Sequence, residues 1–255
     1  MPTKKAPSDL VASLCLVLRV TQYGEADSIL TLFSRSEGLL SARAYGVKSL
    51  KSSFRAACQP FCVAEFEFYR RGDRLSVKAA SVKSQFAGLQ DDYTAYVCGC
   101  IILELTEKVL VYAEEYEEIF RLTVSAVAAL SSEALPPKSI LLFFLIRLTY
   151  YLGVFPVVTS CASCGAAVPC PQFWSSAEGG VICENCARTQ PSAPANLPVL
   201  RCLRSFGRGQ LRDLTAHSTE EGTADASCRL LMEYLRAQYG LHLRTAAMLP
   251  RSRTT

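Results

Sequence analysis

Apolar and polar residues change their period once along this chain. As far as residue 82 they alternate singly, as in half-buried strands; beyond Phe86 they recur every three or four positions, as in helices. Strands are expected over residues 14–23, 28–34, 39–45, 62–69 and 75–82. In the first, Leu14, Leu16, Leu18 and Val20 alternate until Gly24 ends the run. In the second, Ile29, Thr31 and Phe33 lie on one face and Leu30 and Leu32 on the other. In the fourth, Ala64, Phe66 and Phe68 oppose Glu65 and Glu67, and Arg70, Arg71, Gly72 and Asp73 read as a hairpin turn into the fifth.

Five strands packed into residues 14–82 suggest a small closed barrel, because closure removes the unpaired edges an open sheet would expose. A five-stranded barrel admits an OB-fold. After it, Tyr93, Val97, Ile101, Leu105, Val109 and Tyr112 mark a helical face, and the signal runs on through residues 119–130 until Pro136 and Pro137. Residues 138–152 predict a second long helix, apolar all round and therefore inside a bundle, stopped by Gly153 and Pro156. Residues 199–206 and 225–239 predict two more, with Gly240 as a cap. The expected class is α+β: an N-terminal five-stranded OB-fold barrel (1–84), then an α-helical bundle (85–158 and 191–255) with a four-cysteine zinc module inserted at 159–190.

The insert is rich in Cys and Gly and lacks periodicity, so it cannot build an apolar core of its own. Its cysteines read Cys161-Ala162-Ser163-Cys164, eighteen residues, then Cys183-Glu184-Asn185-Cys186. This is the spacing of a zinc site: two residues between thiols let one tight turn aim both sulfurs at a single cation, with Gly165 free to take the positive φ of the knuckle. Four thiolates leave no open coordination position, which makes such a Zn²⁺ structural. Two disulfides, or chance pairs of buried thiols, are the alternative. Cys170 has no partner at knuckle spacing. Cys98 and Cys100 point to different faces of a helix, and Cys15, Cys58, Cys62, Cys202 and Cys228 read as small buried apolar residues.

Charge is unevenly spread within the net +4. The first eighty residues carry 12 Lys or Arg against 7 Asp or Glu, the next eighty 5 against 9, and the remainder 10 against 7. A basic barrel therefore precedes an acidic middle. Arg43, Lys48, Lys51 and Arg55 follow one another on and after the third strand, Arg70, Arg71 and Arg74 crowd the hairpin, and Tyr45, Phe54 and Tyr69 are interleaved. Cations that track phosphates beside rings that stack on bases point to nucleic acid, although Phe54 alone suits a core position better.

Catalytic signatures are not evident. His217 and His242 begin no metal or deaminase motif, there is no phosphate-cradling G-x-x-x-x-G-K-[ST] loop and no G-x-S-x-G elbow, and Asp91-Asp92 and the Glu114–118 cluster read as solvated helix faces or ends. Lys4 and Lys5 before an apolar stretch imitate a secretion signal, but Arg19 interrupts it and no small-residue cleavage site follows. The run Ile140 to Ile146 is far below the roughly 18 to 20 residues that span a bilayer. A soluble, cytosolic, non-enzymatic protein is expected.

The order of parts resembles the bacterial recombination mediator family RecO. The matching residues are Gly24-Glu25-Ala26-Asp27-Ser28-Ile29-Leu30, Gly38, Ala44-Tyr45-Gly46-Val47-Lys48, Gln59-Pro60-Phe61, residues 148–153 with Pro156, the Cys161 and Cys164 pair with Gly165, Phe173, and Gly179-Gly180 ahead of Cys183 and Cys186. The resemblance implies a protein associated with the bacterial nucleoid that binds single-stranded and double-stranded DNA, anneals single strands, engages the C-terminal tail of the single-strand-binding protein, and works with RecR to load RecA. By that analogy Lys48, Lys51 and the nearby arginines contact DNA and the four paired cysteines hold zinc. An RNA- or ribosome-associated OB-fold protein with a structural zinc is the alternative. A nucleotidyl transferase would need a K-x-D-G motif, which does not occur.

Overall fold

The computed structural model describes residues 9–49, 51–113, 115–132, 134–206 and 220–251. They form β1 (Asp9–Tyr23), β2 (Asp27–Ser34), β3 (Gly38–Ala44), β4 (Cys62–Arg71), β5 (Arg74–Gln85), α1 (Tyr93–Val109), α2 (Tyr116–Ser131), α3 (Pro137–Tyr151), β6 (Phe173–Ser175), β7 (Gly180–Ile182), α4 (Glu184–Ala187), β8 (Ala193–Pro194), α5 (Leu197–Phe206) and α6 (Glu221–Tyr239). The chain is α+β and divides into two compact units, Met1–Gly88 with Leu103–Ala128, and Leu89–Ile102 with Ala129–Thr255. His217 lies outside the described residues.

The first unit is built on a closed barrel of strand order β1-β2-β3-β5-β4, an OB-fold. Its 15-residue first strand is long enough to serve two neighbours. Residues 9–16 pair with β4 and residues 15–23 with β2, around a bulge between Val17 and Arg19. The expected alternation holds in β2 and β4 but not in β1, where Cys15, Leu16, Val17 and Leu18 are buried in succession beside the bulge. Leu30, Leu32, Ala64, Phe66 and Phe68 fill the interior, the two rings stacked 5.7 Å apart. Glu65 and Glu67 face out and pair with Lys83 and Lys78. Phe33, on the opposite face of β2 from Leu30 and Leu32, is buried edge-on against Phe120 of α2 at 5.3 Å. In the same unit Arg19 pairs with Glu107 and Arg35 with Glu117. Cys15, Cys58 and Cys62 are buried as expected; burial pushes the Cys15 and Cys58 thiols up to about 12, which keeps them protonated.

The helical signal read as continuous from Tyr93 to Leu130 is broken in the structure. A 3₁₀ turn at Leu110–Tyr112 and extended backbone at Ala113 end α1, and α2 starts afresh at Tyr116. The break follows the charges: Glu117 and Glu118 occupy the first turn of α2, where carboxylates favour the exposed N–H groups of a helix start. Asp92 does the same at α1, its Oδ1 accepting from the N–H groups of Thr94 and Ala95. Pro137 does not merely end what precedes it; it opens α3, where its missing N–H costs nothing.

In the second unit α3 is buried on all sides from Lys138 to Ile146, in agreement with its apolar surface, and it packs on α5 and α6. Gly240, in the left-handed conformation, caps α6. Among the described residues no helix is long and apolar enough to cross a membrane. A charged pair enters this core: Lys138 Nζ, almost wholly buried, lies 3.0 Å from the buried Asp225, which also receives Arg229 at 2.9 Å. Burial opposes ionisation of Asp225, but the hydrogen bonds from Arg229 and Lys138 outweigh it and hold the carboxyl below its ordinary range.

Replacing Asp225 by Ala takes the nearer carboxylate from a buried ammonium, with Glu221 Oε1 at 3.8 Å still beside it, and a loss of about 3 kcal/mol is expected in urea unfolding. Because the folded-state value is depressed, the contribution is complete above the unfolded value of about 3.9 and disappears as pH falls through the folded one. The stability gap between wild type and D225A should therefore close on acidification.

Candidate metal centre and nucleic-acid interface

Cys161, Cys164, Cys183 and Cys186 come together with all four sulfurs within 4.8 Å of one another. Two knuckles do this. In the first, the Cys161 carbonyl accepts from Gly165 N–H at 2.9 Å and Gly165 sits at φ +75°, the conformation its sequence position called for. In the second, the Cys183 and Cys186 carbonyls accept from Ala187 at 3.0 Å and Gln190 at 2.9 Å. All four cysteines are free in this arrangement. The Cys164 and Cys183 sulfurs are 3.8 Å apart. Tetrahedral coordination at a metal–sulfur length of about 2.3 Å requires sulfurs about 3.8 Å apart, so the spacing suits a single tetrahedral ion.

Electrostatics separates these thiols from the core ones. Cys98 and Cys228 are driven up by burial, the former to about 12. Burial also opposes ionisation of Cys161, but backbone N–H groups of Cys164, Cys183 and Ser163 directed at its sulfur outweigh it and pull the thiol down to about 6. Cys186 moves the other way, up to about 12, through its hydrogen bonds with Cys183 and Cys164. Four sulfurs this close cannot all ionise without a cation among them. Cys161 is therefore the thiol of the set that ionises most readily, and a cation among the four sulfurs would offset the repulsion between further thiolates. Cys170 is exposed and stands outside the cluster.

The barrel carries the second feature. β3 pairs in parallel with β5 through Ala42 with Leu75 and Arg43 with Ser76. This brings Arg43 and Tyr45 beside Arg71, Arg74 and Tyr69 from the β4–β5 hairpin, around an open groove of about 870 Å³. The hairpin turn is tighter than expected: β4 runs through Arg71, β5 starts at Arg74, and only Gly72 and Asp73 remain between them. Three rings at this face are about half exposed, Tyr23 at 45%, Tyr45 at 53% and Tyr69 at 44%. The Arg43 guanidinium lies 4.4 Å from the Tyr23 ring centre and donates to the Tyr45 hydroxyl at 3.1 Å. Lys78 stands 6.0 Å from the Tyr69 ring centre.

The remaining cations lie elsewhere. Arg70, next to Arg71 in sequence, points to the other side of the pleat and pairs with Glu37 at 2.5 Å. Lys48, Lys51 and Arg55 are exposed on the connection from β3 to β4 and do not line the groove. Phe54 on that connection packs on the barrel core, as its position suggested.

Both halves of the chain match known families. Residues 10–86, the barrel, match the family described as Recombination protein O N terminal, and residues 90–247 match that described as Recombination protein O C terminal. The chain belongs to the RecO family. Similar curated proteins named DNA repair protein RecO come from Streptomyces griseus, 32% identical over 226 residues (84% of this chain, 90% of the relative), and Desulfitobacterium hafniense, 34% over 207 residues (81% and 74%). A third, from Alkaliphilus metalliredigens, is 32% identical over 177 residues (69% and 72%).

Two parts of the RecO site were not evident from the sequence. Tyr23 joins the groove face from the end of β1, far in sequence from the arginine it stacks on; only the strand order reveals it. The cysteine module is also held from outside. Tyr234 and Gln238 of α6 donate to the carbonyls of Val154 and Ser176, each at 2.8 Å, Trp174 packs edge-on against Tyr234, and Arg204 of α5 donates to the carbonyl of Val158. Gly180 completes the docking. Val157 bridges to it, and any Cβ there would collide with the Val157 carbonyl. G180A should therefore loosen the module: faster proteolysis within residues 159–190 and weaker retention of metal against a chelator are expected, with little change in the far-ultraviolet helical signal.

Proposed function

We propose that this RecO-family chain is a non-enzymatic DNA-repair mediator. It binds single-stranded DNA on the barrel, anneals complementary strands, and helps load the recombinase RecA onto DNA coated with single-strand-binding protein. The observation that carries this reading is the groove. It lies on the strand 2 and 3 face beside the β4–β5 turn, where OB-folds receive oligonucleotides. Its chemistry suits that ligand: guanidinium groups for phosphates and half-exposed rings for bases. These side chains recognise and position; they do not make or break bonds. RecR, the tail of the single-strand-binding protein and double-stranded DNA are the further partners this function requires.

The four-cysteine centre holds Zn²⁺ in this proposal, and the metal's role is structural because four thiolates leave no position for water or substrate. Freshly purified, reduced protein should contain one zinc per chain, and Cys161→Ser or Cys183→Ser should abolish it and unfold the insert. Protein that carries no metal would overturn this assignment.

The test of the function is annealing of complementary strands coated with single-strand-binding protein, in the absence of ATP. Wild type should accelerate it. Arg43→Ala with Arg74→Ala should slow it, weaken single-strand binding, and flatten the fall of log K with log salt by about 0.7 for each phosphate contact removed. An RNA of equal length that competes as well as DNA would favour the RNA-associated reading instead.

A further inference from the structure

We infer that Asp73 is the base-reading residue of the groove: its carboxylate takes the Watson–Crick edge of an unpaired guanine and lets go of that base when it pairs. This rests on the reading of the groove as a single-strand site.

Among the residues that line the groove Asp73 is the one carboxylate, in the company of the Arg43, Arg71 and Arg74 guanidinium groups. A negative charge there repels phosphate, so it does not serve the backbone of a bound strand. Nor does it serve the protein. Gly72, at φ +57°, supplies the left-handed residue that the two-residue hairpin turn needs, and Arg71 pairs with Arg74 across it. Asp73 is exposed, and among the described residues its carboxylate has neither a cation within ion-pair distance nor a hydrogen-bond donor. The turn would form without it, and the arginines beside it leave it unpaired.

The bases are the remaining partner. An ionised carboxylate only accepts hydrogen bonds, at two oxygens side by side. Guanine matches it best, because N1–H and the N2 amino group lie next to each other on one edge and donate to both oxygens at once. Cytosine and adenine set a single amino group beside an acceptor, and thymine sets one N–H between two carbonyls that the carboxylate repels. Tyr45 and Tyr69, half exposed on the same groove, give the base a ring to stack on while its edge is read.

That edge is also the one a complementary strand uses. A pairing cytosine takes N1–H and N2–H for itself and leaves Asp73 facing only phosphates. The residue thus favours unpaired over paired DNA twice, by a bond to the first and a charge against the second. An annealing groove gains from it a way to release its product.

Full-length protein is titrated with a labelled single strand of d(TTG) repeats, with the same strand carrying inosine in place of guanine, and with oligo-dT of equal length. Wild type should bind the guanine strand about 5-fold tighter than oligo-dT, the lower end for a bidentate base contact because Asp73 is exposed. Inosine, which lacks the N2 amino group, should lose most of that gain. Asp73→Ala should erase the preference, bind oligo-dT more tightly than wild type does, and retain more duplex after annealing of the guanine strand to its complement. The tighter oligo-dT binding shows that the variant folds. Asp73→Glu keeps the carboxylate and should keep the preference. If Asp73→Ala leaves the preference in place, or tightens all three strands by one factor, the inference fails while the single-strand reading stands. If Arg43→Ala with Arg74→Ala leaves the affinity for all three strands unchanged, the single-strand reading falls with it.

Discussion

The placement of every side chain on the groove depends on one short stretch of backbone pairing. Without the parallel pairs Ala42 with Leu75 and Arg43 with Ser76, the barrel would be an open sheet with β3 and β5 as its edges. Arg43 and the Arg71–Arg74 hairpin would then lie at opposite ends of it. Closure brings them together, and β1 makes it possible by pairing along one half with β4 and along the other with β2. The functional face is thus a product of strand order, while the residues that cover it are set by pleat: Arg43 and Tyr45 are two apart on one face, and Ala42 and Ala44 between and beside them are buried inside.

That distinction explains what the sequence alone revealed. Alternation at Ala64, Phe66 and Phe68 against Glu65 and Glu67 is a local signal, and it gave both the strand and its inward face. The cysteine spacing is local at each knuckle and likewise readable. Arg70 and Arg71, however, look like one cluster in sequence and are separated by the pleat, one toward Glu37 and the other toward the groove. Tyr23 contributes only because β1 and β3 flank β2, a fact of topology that no window of residues contains. The break between α1 and α2 was masked for a different reason: Leu110, Val111 and Tyr112 continue an apolar helical pattern, and the signal that ends it lies in the carboxylates that follow.

The thiols show how context decides between packing and chemistry for one residue type. Cys15, Cys58, Cys98 and Cys228 are held protonated by burial and behave as small apolar side chains. Cys161 is as buried as they are, with 2% of its surface exposed, yet its thiol moves down because three backbone N–H groups converge on the sulfur. Burial without donors holds a thiol protonated; burial with converging N–H donors favours its thiolate.

A module of this size needs support beyond its own core. Its strands are three, three and two residues long, too short to stand as a sheet. Its own apolar cluster amounts to Cys161, Val168 and Ile182 with a few half-buried neighbours. An ion held by the four sulfurs would fix the two knuckles to each other but not where they sit. Gln238 supplies that by bonding the Ser176 carbonyl within the insert, Tyr234 and Arg204 by bonding the Val154 and Val158 carbonyls on the segment that leads into it, and Gly180 permits the close backbone approach at Val157. Coordination of an ion by the four sulfurs would hold the module together internally, while hydrogen bonds to α5 and α6 fix its place, so the two supports are coupled through the order of residues 159–190.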